Sequence, residues 1–222
     1  MIKKVVIYGE RCSGTTYLEN IIRQNFDVKF EKKDHFFGFE NFDVQATDDI
    51  LYIGIARHPV KYMNSLFRDK WHLAPHLQNN IANFLNAEFW SCQDTIPTNK
   101  SIEILEARNI YTKERYKNIF EMRDAKLRFL LEDMPKQVKN YIFIRYEDLN
   151  VDFINTVNKL KKMGLPIKKN INYPINTDQY KFVKNKNFSL NDKSQLIEKS
   201  LILGNPNFKT KYEIQLGYIR RI

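Results

Sequence analysis

Cysteine is nearly absent. Cys12 and Cys92 are the only two in 222 residues, which excludes a disulfide framework and any zinc site built on several thiolates, and fits a reducing compartment. No apolar run approaches the roughly 20 residues of a membrane helix. The N-terminus enters a strand pattern at once, without a signal-peptide pattern, so a cytoplasmic location is expected. There is no internal repeat and no low-complexity linker, and the length favours one α/β domain over residues 1–222. An acidic excess is missing too: 36 Lys/Arg stand against 26 Asp/Glu, a net charge of +10. Residues 160–222 hold 13 of those cations and only 4 of the carboxylates. Such a field attracts anions, including nucleic acid and phosphorylated nucleotides, but without a motif it describes a lysine-rich solvated surface equally well.

What is present is a foldable core, with 43% hydrophobic and 14% aromatic residues, too apolar for a disordered chain. The run from Val5 to Tyr8 reads as a buried strand ending at Gly9, and Leu18, Ile21 and Ile22 recur at helical spacing behind it. A second apolar run, Ile50 to Ala56, is followed by Pro59 at the first position of a helix. A third, Tyr141 to Ile144, ends in Arg145-Tyr146-Glu147-Asp148. A short strand over Val28 to Phe30 and helices over 81–89, 112–133, 153–163 and 193–203 complete the pattern, with Pro135 expected to stop the helix over 112–133. Apolar strands separated by helices imply a mostly parallel sheet covered on both faces, a three-layer α/β/α fold.

The strand, the stretch GERCSG and the next helix carry the chemistry. Backbone N–H groups of such a loop, together with the helix dipole, converge on one anion. Gly9 and Gly14 permit the tight backbone, Ser13, Thr15 and Thr16 add hydroxyls, and Arg11 adds a planar cation. An ATPase loop would have lysine after the second glycine and an aspartate at the end of a neighbouring strand. Here those places hold Thr15 and, after Ala56, Arg57. The anion expected is therefore a phosphate-bearing nucleotide other than magnesium-bound ATP.

Three segments resemble the sulfotransferases that use 3′-phosphoadenylyl sulfate (PAPS), whose architecture is the P-loop-like α/β/α fold. Ser13-Gly14-Thr15-Thr16-Tyr17 is similar to their K-S-G-T-T-W loop, Arg57-His58-Pro59 with Ser65 to their R-[ND]-P-x5-S segment, and Tyr146-Glu147-Asp148-Leu149 to their Y-E-D-L segment. The resemblance implies 5′-phosphosulfate on the loop (Arg11 to Tyr17, with Cys12 inside it), 3′-phosphate on Arg57 and Ser65, and adenine near Tyr146 and Tyr17. It further implies PAPS as cosubstrate, 3′,5′-ADP as product, a hydroxyl or amine acceptor, and no metal. His35, in Lys33-Asp34-His35, matches the family's K-x-H and is the candidate base. His58, His72 and His76 are alternatives, as are the carboxylates Glu19, Glu31 and Glu40.

The chain departs from the family at Cys12, where gapless alignment puts the family's lysine or arginine. Three readings stay open: Arg11, one residue early, reaches the leaving oxygen through a rearranged loop; Lys33 supplies the charge from across the site; or the chemistry is impaired. A thiol near a helix N-terminus can also have a lowered pKa. The basic stretch from Gln179 to Phe188, with Tyr180, Lys184 and Lys186, is either a cover for the adenosine or a solvated loop. Two other readings remain: a P-loop kinase or NTPase with a displaced lysine, and a catalytically impaired nucleotide- or nucleic-acid-binding module. Nucleic acid is not the expected partner of the leading reading. Residues 68–135 would shape an acceptor pocket whose ligand the sequence does not name.

Overall fold

The computed structural model of the protein describes residues 1–40, 42, 47–70, 72–93, 102–172 and 196–220. Strand β1 is Lys4–Tyr8, helix α1 Thr15–Asn25, β2 Lys29–Asp34, β3 Ile50–Ala56 and α2 Pro59–Asp69. After them come α3 (Ile81–Asn86), α4 (Ile119–Arg128), α5 (Met134–Gln137), β4 (Tyr141–Arg145), α6 (Asp148–Val151), α7 (Phe153–Lys162), α8 (Lys199–Leu203) and α9 (Lys211–Gln215). The sheet order is β2-β1-β3-β4, and all three pairings are parallel.

The period-2 alternation of β1 sends its side chains to opposite faces. Val5 and Ile7 pack with Leu51, Ile53 and Ile55 of β3 beneath Leu18 and Ile22 of α1 and Val157 and Leu160 of α7. Val6 and Tyr8 pack with Tyr52 beneath Phe129, Leu130 and Met134. Helices thus cover both faces, giving the expected three layers. A separate apolar cluster joins α2, α3 and α4 through Met63, Leu66, Phe67, Phe84 and Phe120. No described helix is long and apolar enough to cross a membrane.

Five sequence expectations need correction. β2 covers 29–34 rather than 28–30. Its KFEKKD sequence hides it from an apolar-run reading because it is an edge strand, bonded only to β1. The helix expected over 112–133 starts at Ile119, where the Asn118 side chain accepts from the amides of Phe120 and Glu121. Tyr116, inside that expected span, instead forms a β-bridge with Phe89, and the helix expected over 81–89 ends at Asn86 before that bridge. Pro135 does not stop the long run: a π turn over Phe129–Asp133 leads into α5, where Pro135 occupies one of the first two positions. The helical run continues through it, so the N–H that proline lacks leaves a carbonyl of the preceding turn short of a donor, and the Tyr141 hydroxyl donates to Leu130 O there. Within the described residues the last expected helix is Lys199–Leu203, residues 193–195 lying outside them, and α9 was not anticipated.

Candidate functional site

β1 runs directly into the loop and α1 leaves it. Gly14 is the N-cap of α1, at φ 99°, a left-handed conformation that glycine adopts at little cost. An added Cβ would stand 2.1 Å from Cδ2 of Tyr146. The first bond at the helix start runs from the Leu18 amide to Gly14 O at 3.0 Å, and no side chain caps the helix. The amides of Thr15, Thr16 and Tyr17 therefore lack an intrahelical acceptor, and they sit at the positive end of the helix dipole. Gly14→Ala is expected to cost at least about 1–2 kcal/mol from the left-handed backbone alone, more if the Tyr146 ring must move. Thermal melting checks this, and an unchanged melting temperature contradicts it.

Strand ends bring the other side chains to this opening. Arg57, just after β3, donates from Nη1 to Cys12 O at 3.3 Å, and its guanidinium carbon lies 4.7 Å from the Tyr146 ring centroid. Tyr146, just after β4, has its ring 5.9 Å from that of Tyr17. Ser65 of α2 is buried and its hydroxyl faces the Cys12 thiol. Lys33, near the end of β2, donates to Thr16 Oγ1 at 2.9 Å and pairs with Glu19 at 3.0 Å. Carboxyl ends of parallel strands are where ligands of open α/β sheets bind.

Two loop side chains behave differently from expectation. The Ser13 hydroxyl donates to Glu10 O at 2.6 Å, and its amide reaches the same oxygen at 3.1 Å. Its proton therefore closes the loop and does not point outward. The Cys12 thiol donates to Asp69 Oδ2 at 3.3 Å. Burial, reinforced by Asp69, pushes it up to about 12, so the lowering available at a helix N-terminus does not occur.

Arg11 turns inward. It is 9% exposed, donates from Nη2 to Ser91 Oγ at 3.1 Å and lies over the Phe36 ring at 5.7 Å. There it joins a buried polar group that sequence reasoning missed, because its members come from distant segments. Glu10, Arg11, His35, Tyr62, Ser91 and Lys126 border a cavity of about 10 Å³, room for roughly one water. Burial raises the Glu10 pKa, against the opposing pull of Arg123, Tyr62 and Lys126. Lys126 is 2% exposed and donates to Phe37 O, and burial lowers its pKa to about 8. Nδ1 of His35 lies 2.7 Å from Gly9 O. A carbonyl only accepts, so Nδ1 carries the proton and Nε2 keeps its lone pair. Burial lowers the His35 pKa, the Gly9 bond opposing it.

The alternative bases are engaged elsewhere. Nδ1 of His72 bonds Cys92 O and Nε2 of His76 bonds Glu88 O. Glu19 holds Arg23 and Lys33, Glu31 pairs with Lys29, and Glu40 accepts from the Gly38 amide. His58 differs. Among the described residues, the buried side-chain atoms without a hydrogen-bond partner are Glu10 Oε1, Arg57 Nε, His58 Nδ1 and Glu147 Oε2. All four sit on segments that immediately follow β1, β3 or β4. An unpaired buried polar group costs about 1–3 kcal/mol, so their collection at one end of the sheet makes that end the candidate site. The stretch from Gln179 to Phe188, with Tyr180, Lys184 and Lys186, lies outside the described residues.

These observations define an α/β protein with a glycine loop and an uncapped helix start at the carboxyl end of its parallel sheet. No protein-family model and no curated protein matches the chain. Among solved structures it is similar to mouse sulfotransferase SULT7A1 complexed with PAP, at 14% identity and a TM-score of 0.39. The match covers 80% of this chain and 62% of that one. The fold assignment rests on the strand order and pairing given above.

Proposed function

We propose that the protein transfers a sulfuryl group from PAPS to a hydroxyl or amine acceptor and releases 3′,5′-ADP. The observation that carries this reading is Arg57: its guanidinium is bonded to the loop backbone at Cys12 O while its buried Nε has no partner. A cation so placed, on the same Cys12 residue whose thiol the Ser65 hydroxyl faces, suits a second phosphate beside the group held by the amides of Thr15 to Tyr17. That second phosphate distinguishes PAPS from ATP. Tyr146 and Tyr17 offer aromatic faces for the base between the two anionic ends.

PAPS, when bound, supplies a sulfuryl group on a good phosphate leaving group. In the transfer, the acceptor oxygen or nitrogen forms a bond to sulfur as the bond from sulfur to the phosphate oxygen breaks, and the electron pair stays on that oxygen. His35 Nε2 takes the acceptor proton. Lys33, beside Thr16 on the first turn of α1, and the open helix amides stabilise the charge left on the phosphate. Arg11 is directed at Ser91 instead, which favours Lys33 for the role of the absent loop lysine.

Because burial lowers the His35 pKa, the imidazole is neutral and basic at pH 7. The acidic limb of kcat/KM is expected below the ordinary histidine pKa of about 6.5, activity falling only as pH drops through that lowered value. His35→Gln should remove the limb and lower kcat by about 100-fold or more. A pH–rate profile checks both, and a wild-type limb centred above 7 argues against this base. The reading as a whole is tested by calorimetry: 3′,5′-ADP should bind at least about tenfold more tightly than 5′-ADP, and equal affinities would remove its basis.

A further inference from the structure

The cavity between the loop and α4 asks for a particular acceptor. Two residues that border it carry proton acceptors: Glu10, 9% exposed and with its Oε1 unpartnered, and His35, whose Nε2 keeps its lone pair because Nδ1 is held by Gly9 O. One hydroxyl brings one proton and satisfies one of them. Lys126 borders the same space with an ammonium that has three protons, one of them given to Phe37 O, so the space also offers a donor. Two acceptors and a donor match adjacent hydroxyl groups, each of which both donates and accepts.

An ammonium would also bring several protons. The lining, however, sets Arg11 and Lys126 against the single carboxylate of Glu10, a balance that disfavours a third cation in a confined space. A flat phenol brings one proton and leaves either Glu10 Oε1 or His35 Nε2 without one.

Resting on the sulfuryl-transfer reading, we propose that the acceptor is a polyol carrying neighbouring hydroxyls. The hydroxyl next to the reacting one enters the cavity, donates to Glu10 Oε1 and accepts from Lys126, while the reacting hydroxyl gives its proton to His35 Nε2. Its oxygen forms the new bond to sulfur, the bond from sulfur to phosphate breaks, and 3′,5′-ADP leaves with the electron pair. Glu10 and Lys126 are then acceptor-recognition residues, separate from those that hold the nucleotide. The cavity's volume of about 10 Å³ fits one hydroxyl and no more, so the rest of the acceptor stays outside it.

The experiment has two arms. Calorimetry with 3′,5′-ADP and 5′-ADP tests the reading beneath the proposal, and a missing preference sinks that reading. With the preference present, radiolabelled PAPS is offered with vicinal cyclohexanediol, methyl glucoside, cyclohexanol or naphthol. The two vicinal diols should be used with kcat/KM about 10- to 100-fold above the two single-hydroxyl compounds, the range for one hydrogen bond to a buried charged group. Glu10→Gln and Lys126→Met should each shrink that margin about tenfold, mainly through the diols' KM, with 3′,5′-ADP affinity unchanged. Two variants are used because Glu10 is buried, and a melting curve identifies whichever is folded. The polyol proposal is overturned by equal or better use of cyclohexanol or naphthol. It is equally overturned by no transfer to either diol while 3′,5′-ADP binds, or by an unmoved margin in a folded variant.

Discussion

In Arg57→Ala, the affinity for 3′,5′-ADP is expected to fall about 10- to 150-fold, to the level of 5′-ADP, while 5′-ADP itself binds nearly as before. The magnitude is that of charge-assisted hydrogen bonds to one phosphate. The selectivity follows from position: Arg57 stands behind the loop backbone, on Cys12 O and the Tyr146 ring, whereas the amides of Thr15 to Tyr17 belong to α1 and survive the substitution. Arg57→Lys separates charge from shape. It keeps the cation but loses the planar fork, and should recover only part of the preference. Paired titrations of both nucleotides against wild type and the two variants read this directly. If Arg57→Ala weakens both nucleotides equally, Arg57 only braces the loop, and the second phosphate has no receptor there.

The largest stability effect is expected at Arg123. It is 3% exposed, donates from Nη2 both to Glu213 Oε2 at 3.0 Å and to Arg57 O at 2.8 Å, and faces the Tyr62 ring. Burial disfavours its charge, yet Glu213 more than offsets that and raises its pKa. Arg123→Met leaves the Glu213 carboxylate, itself 2% exposed, without its partner. Breaking one side of a buried pair costs about 3–5 kcal/mol, or roughly 6–20 °C in melting temperature at this chain length. Arg123→Met with Glu213→Leu, which removes both charges, should recover much of the loss. A double-mutant cycle by thermal denaturation measures it. Full additivity of the two single losses would mean the residues do not act as a pair.

The loop region was legible because its determinants are local. Two glycines after an apolar strand and before a 3.6-periodic segment dictate a turn whatever surrounds them, and Pro59 announces α2 in the same way. The convergence of Arg57, Tyr146 and Lys33 also followed, since parallel strands deliver what comes after them to a common edge. Glu10 with Lys126, and Arg123 with Glu213, were not legible: 116 and 90 positions separate the partners, and no periodicity in one segment reports the other. The same holds for Tyr116, whose apolar character belongs to its bridge with Phe89 and not to the helix that follows.

The polar edge strand β2 has a consequence for assembly. Its outer backbone groups face away from β1, and Lys29, Glu31 and Lys32 are exposed along it. A neighbouring chain that docked there to lengthen the ladder would have to strip water from those charges. Lateral growth from this side is therefore unfavourable, which guards the chain against fibre-like stacking during synthesis.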